Sequence, residues 1–95
     1  MAGAEEQLVR AVATGRVQRV NYRWSLMQAA SGNGVRGWVR NRADGAVEAV
    51  LQGPRDAVEA TVAWMRSGPP KAIVNDVQVE AIEPTEQYDG FTIRG

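Results

Sequence analysis

Gly15-Arg16-Val17-Gln18-Arg19-Val20-Asn21-Tyr22-Arg23 is the stretch on which the reading of this chain turns. A glycine opens it and three arginines punctuate it. It stands between a segment that alternates like a strand and one with the apolar spacing of a helix. A helix N-terminus leaves backbone N–H groups without intrahelical partners and gathers partial positive charge from the aligned peptide dipoles. Arg23 adds a full charge and a fork of donors at that end, where the dipole alone disfavours a cation, so it asks for an anion. The stretch reads as an anion cradle. On spacing alone, a solvated strand-to-helix connection with incidental arginines is an equal alternative.

Working outward, Leu8 to Thr14 alternates, with Leu8, Val12 and Thr14 set against an exposed Arg10, and predicts a first strand. From about Tyr22, the positions Leu26, Met27 and Ala30 recur at helical spacing, and Gly32 and Gly34 stop that helix. Val35 to Arg42 places Val35, Gly37, Val39 and Asn41 on one face of a second strand. Asn41 is the polar exception there. Ala43-Asp44-Gly45 is a turn, and Ala46 to Gln52 returns as the other arm of a hairpin. Gly53-Pro54 opens a second helix with Val58, Thr61, Val62 and Met65 on its inner face, and Ser67-Gly68-Pro69-Pro70 ends it. Ile73 to Ile82 alternates through Val77, Val79 and Ala81 as a half-buried strand. Glu83 to Gly90 is a loop, and Phe91 to Arg94 a short last strand at an edge.

That order predicts an α+β, ferredoxin-like βαββαβ sandwich: an antiparallel sheet with two helices on one face and a short extra C-terminal strand. Right-handed crossovers set the first and third strands side by side in the middle. Residues 1–6 are expected to fray, and residues 7–95 to form a single domain.

Composition narrows the function. Formal net charge is zero, but Gln7 to Ala43 holds seven arginines and no acid, whereas nine acids follow from Asp44 onward. A neutral protein lacks long-range attraction for a polyanion, so the asymmetry favours a local anion site over a nucleic-acid binder. Cysteine and histidine are absent, which excludes disulfides, Cys/His zinc sites, a Cys nucleophile and a Ser-His-Asp triad. Trp24, Trp38 and Trp64 read as covers of core edges rather than base-stacking platforms. Asp44 and Asp89, each before a glycine, are turn residues, and Glu80, Glu83 and Glu86 a solvated face or loop. No apolar run of membrane-spanning length and no secretory leader is visible, so a cytoplasmic monomer is expected, with neither membrane nor nucleic acid as partner.

The residues resemble the acylphosphatase family. Its first motif, Gly-x-Val-Gln-Gly-Val-x-Phe-Arg, is matched at Gly15, Val17, Gln18, Val20 and Arg23. Its second is matched by Gly37-Trp38-Val39-Arg40-Asn41 with Gly45, Val47 and Gly53 at the family spacing. Gly53-Pro54-Arg55-Asp56-Ala57-Val58-Glu59-Ala60, the break at 67–70 and Tyr88-Asp89-Gly90-Phe91-Thr92-Ile93-Arg94 extend the resemblance to nearly the whole chain. It implies hydrolysis of the carboxyl–phosphate bond of small acyl phosphates, without metal or cofactor, to carboxylate and phosphate. By the same carry-over, Arg23 and the backbone amides of Arg16, Val17, Gln18, Arg19, Val20, Asn21 and Tyr22 hold the phosphoryl group, and Asn41 positions the attacking water.

Two departures matter. Tyr22 stands for the usual Phe, which is mild if its hydroxyl finds a partner. Arg19 stands for the usual second glycine. If the backbone there is left-handed, the cost is about 1–2 kcal/mol. If Arg19 tilts a cradle amide off the phosphate, the loss is roughly 2.7–4 kcal/mol of transition-state stabilisation. Its guanidinium contacting the anion would compensate. The alternative function is therefore a catalytically impaired acylphosphatase-like module that binds an anion or a protein partner.

Overall fold

The computed structural model describes residues 6–83 and 86–94. The elements run β1 (Glu6–Arg16), α1 (Tyr22–Gly32), β2 (Arg36–Asn41), β3 (Val47–Pro54), α2 (Arg55–Ser67), β4 (Ile73–Ala81) and β5 (Phe91–Arg94). Of the terminus expected to fray, residues 1–5 lie outside the described residues, and Glu6 opens β1 opposite Pro54. The sheet order is β4-β1-β3-β2-β5, with β1 and β3 adjacent in the middle as the crossover argument requires. The first four strands pair antiparallel. β5 joins the outer edge of β2 in parallel, placing Ile93 beside Val39 and making the sheet mixed.

Both helices cover one face. Tyr22, Leu26 and Ala30 of α1 and Val58 and Met65 of α2 pack onto Val9, Ala11, Ala13, Val39, Val47, Ala49, Leu51 and Val77. The helix-facing side of β1 is thus Val9, Ala11 and Ala13, not Leu8, Val12 and Thr14. Two alanines let the helices approach closely, while Leu8 is buried on the opposite face. β4 is an outer strand: Val77 is buried, but Val79 is 42% exposed.

The far face carries charge. Glu48 of the central strand, 7% exposed, binds Arg40 at 2.7 Å and lies 3.7 Å from Arg10, which in turn reaches Glu80 at 2.9 Å. Gln52, also buried, donates to the Glu86 carbonyl at 3.0 Å and accepts from the Tyr88 N–H at 2.9 Å, tying the β4–β5 connection to the sheet. The Arg94 guanidinium lies 4.8 Å over the Trp38 ring, a cation–π contact that occupies that indole.

Two glycines are demanded by close approach. Gly15 has φ 117°, and a Cβ there would lie 2.2 Å from the Ile73 carbonyl oxygen. It coincides with an irregularity in the β1–β4 register that turns the chain out of the sheet. Gly37 has φ 137°, and its Cβ would lie 1.9 Å from the Val50 carbonyl oxygen.

Candidate active site

The segment between Gly15 and α1 is pinned from inside. Val17 is fully buried, Val20 packs against the core, and Tyr22 is 1% exposed. The Tyr22 ring sits against Trp64, centroids 5.5 Å apart, and its hydroxyl donates to the Met65 carbonyl at 2.7 Å. In a continuing helix that carbonyl would accept from residue 69, but Pro69 has no N–H, so the phenol caps the end of α2. Burial holds the phenol well above its usual pKa, keeping it a donor.

The Gln18 side chain clamps the segment to the β2–β3 turn, donating to the Arg42 and Ala46 carbonyls at 2.8 and 3.0 Å. The turn itself is held by Asp44, which accepts from the Ala46 N–H at 3.1 Å and from Arg42 at 2.8 Å. The Ala46 N–H, and then Arg42, draw the Asp44 carboxyl below its usual pKa. Asp44 is thus a turn residue, as expected.

Between these anchors the backbone is left-handed twice, at Arg19 (φ 64°) and Asn21 (φ 66°). Asn21 is the N-cap of α1 but makes no side-chain cap hydrogen bond, and the first turn holds no acid. Among the described residues, no carbonyl or side chain accepts from the backbone N–H groups of Gln18, Arg19, Val20 or Asn21. Gln18 and Val20 are half-buried and Arg19 and Asn21 exposed, so these donors are left for water or an external acceptor.

Arg19 and Asn21 border a cavity of about 270 Å³ that Val17, Tyr22, Arg23, Trp24, Asn41 and Ile93 also line. The structure therefore brings Arg23 and Asn41, seen separately in the sequence, into one cavity with the loop. Of the other residues assigned to the cradle, Arg16 ends β1 in register with Ile73, and the Gln18 side chain turns to the hairpin. Val20 points to the core. Any contact those three make with an anion runs through their backbone.

Among the described residues, the Asn41 Oδ1 is the only buried side-chain polar atom without a hydrogen-bond partner. A buried acceptor left this way, on a residue that lines the cavity, has an unmet hydrogen bond that a water or ligand could supply. No three or more Asp or Glu side chains among the described residues are grouped to hold a metal ion.

Two lining residues were not read from the sequence. Trp24 and Ile93, 51% and 40% exposed, form apolar walls. Trp24 follows Arg23 directly, a position that signals proximity to the cradle. Ile93 arrives through the parallel pairing of β5, which no local pattern announces.

Comparisons with known proteins point to one family. The family model described as Acylphosphatase matches residues 9–93. An acylphosphatase of Nostoc sp. is 51% identical over 92 residues, covering 95% of this chain and 90% of the relative. One from Pyrobaculum arsenaticum is 54% identical over 80 residues, covering 83% and 84%. The solved structure of an acylphosphatase from Coxiella burnetii superposes with TM-score 0.91 at 34% identity, covering 99% of this chain and 100% of that one.

Proposed function

The chain belongs to the acylphosphatase family, and on that premise we propose how its own residues carry out the hydrolysis of small acyl phosphates. The phosphoryl group sits on the open amides of the 16–22 segment, with Arg23 neutralising its oxygens. Asn41 Oδ1 accepts a hydrogen bond from a water and aims its oxygen at phosphorus. As the new P–O bond forms, the bond from phosphorus to the acyl oxygen breaks, and the carboxylate leaves with that electron pair. Both water protons end on inorganic phosphate.

The leaving group is already a weak base, so no general acid is needed, and a site of fixed donors and positive charge suffices. This accommodates a chain without histidine. No step is routed through a metal. The observation that carries the reading is Asn41, whose buried Oδ1 has no partner among the described residues, lining one cavity with Arg23 and the loop.

A catalytically impaired module is not favoured. Relatives at about half identity are acylphosphatases, and Arg19 follows the left-handed path that a glycine would take. The reading includes a cytoplasmic monomer, to which size-exclusion chromatography with light scattering would put the oligomeric part. Among the described residues no helix is long and apolar enough to cross a membrane.

The test is the loss of benzoyl phosphate absorbance with and without a chelator. Turnover far above the spontaneous rate, insensitive to chelation and reduced about a hundred- to a thousandfold in Asn41→Ala, is expected. An Asn41→Ala rate equal to the wild type would remove the water-positioning role.

A further inference from the structure

We propose that Arg19 is a second phosphoryl-binding guanidinium, lining the same cavity as Arg23 from a left-handed backbone position that strains an arginine. The inference rests on the anion-binding reading of this cavity and adds to it a residue that departs from the family motif.

Three observations converge. The first is conformational: Arg19 has φ 64°, where an L-residue costs roughly 1–2 kcal/mol. Asn21, at φ 66°, belongs to a residue type that tolerates this region through its short polar side chain, whereas arginine gains no such local compensation. Strain of this kind persists where the surroundings enforce it, and it collects at ligand sites.

The second is pairing. Arg10, Arg36, Arg40, Arg42 and Arg55 each reach a carboxylate. Among the described residues the Arg19 side chain reaches none, and it is exposed.

The third is the composition of the cavity wall. Arg19 and Arg23 line the same space of about 270 Å³ and no Asp or Glu lines it with them. Arg19 also lines an adjoining space of about 430 Å³ that includes Lys71 and again no acid. The Arg19 guanidinium thus reaches a space whose described lining offers it no carboxylate. A phosphoryl dianion offers enough oxygens for both forks.

The decisive variant is Arg19→Gly, because strain and binding move in opposite directions. Removing the side chain should raise the thermal midpoint by about 4–8 °C, the equivalent of about 1 kcal/mol in a domain this size. The Kd for inorganic phosphate, measured by calorimetry, should weaken about tenfold or more, with a shallower dependence on salt. Arg19→Lys keeps the charge without the fork and should fall between. A midpoint that rises while phosphate Kd and its salt dependence stay within twofold would overturn the proposal. Phosphate binding requires no turnover, so a wild-type protein that binds phosphate but leaves benzoyl phosphate intact would sink the hydrolytic reading and still decide the role of Arg19.

Discussion

Arg40 and Asn41 are neighbours in β2, yet they stand on opposite faces of the sheet and live under opposite rules. Arg40, 47% exposed, closes on the buried Glu48, and Arg10 and Glu80 extend the pairing across four strands. Asn41, on the face toward α1, keeps a buried oxygen with no partner. The same contrast separates the arginines: Arg10, Arg36 and Arg40 of the open face meet carboxylates, while Arg19 lines a cavity without one among the described residues. Positive charge that serves the fold is matched internally. Around the cavity, no described Asp or Glu stands beside Arg19.

Substitutions on the two faces should therefore dissociate activity from stability. Arg23→Met is expected to show the largest effect, lowering kcat/KM by about a thousandfold, about 4 kcal/mol of transition-state stabilisation. Arg23 is half-buried and outside the apolar core, so the variant's thermal midpoint should fall by far less than the rate loss would require. Steady-state kinetics beside a melting curve would show this, and a stability loss that accounts for the rate loss would break the contrast. Glu48→Gln should do the reverse. It removes the acid shared by Arg10 and Arg40 and should destabilise by about 1–3 kcal/mol. Because both arginines stay largely solvated, the cost stays below that of breaking a fully buried pair. Its kcat/KM should remain within twofold of the wild type, and a large catalytic defect with unchanged melting would count against the separation of faces.

Much of this was legible because local chemistry announced it. Asn41 stood out as a polar residue on the Val35, Gly37, Val39 face, and Gly15 and Tyr22 bounded the cradle by a turn signal and the onset of helical spacing. The inner face of β1 was misread because Leu8, Val9 and Val12 leave apolar residues on both sides of a strand near the sheet centre. Alternation loses its meaning there, and close helix packing selects the small Ala11 and Ala13 instead. The charge asymmetry along the chain dissolves on folding, since Arg10 finds Glu80 seventy residues away. Ile93 was missed for the same reason: its place beside Val39 is set by the docking of a four-residue edge strand, not by its own sequence.

The smallest expected effect concerns how the cradle is held rather than what it holds. Tyr22 is where this chain departs from the Phe of the motif it resembles, and its hydroxyl has a specific task. Met65 lies in the last turn of α2, and Pro69 removes the N–H that would have reached its carbonyl. Tyr22→Phe keeps the ring against Trp64 and deletes only the donor, leaving a buried carbonyl without that partner. The expected loss is about 1–2 kcal/mol, visible as a midpoint lower by several degrees. The same substitution in a Pro69→Ala background should cost less, because the restored N–H at position 69 can take over the carbonyl. An equal cost in both backgrounds would show that the hydroxyl stabilises the protein by some route other than capping α2. The phenol would then no longer be the link that joins the start of α1 to the end of α2.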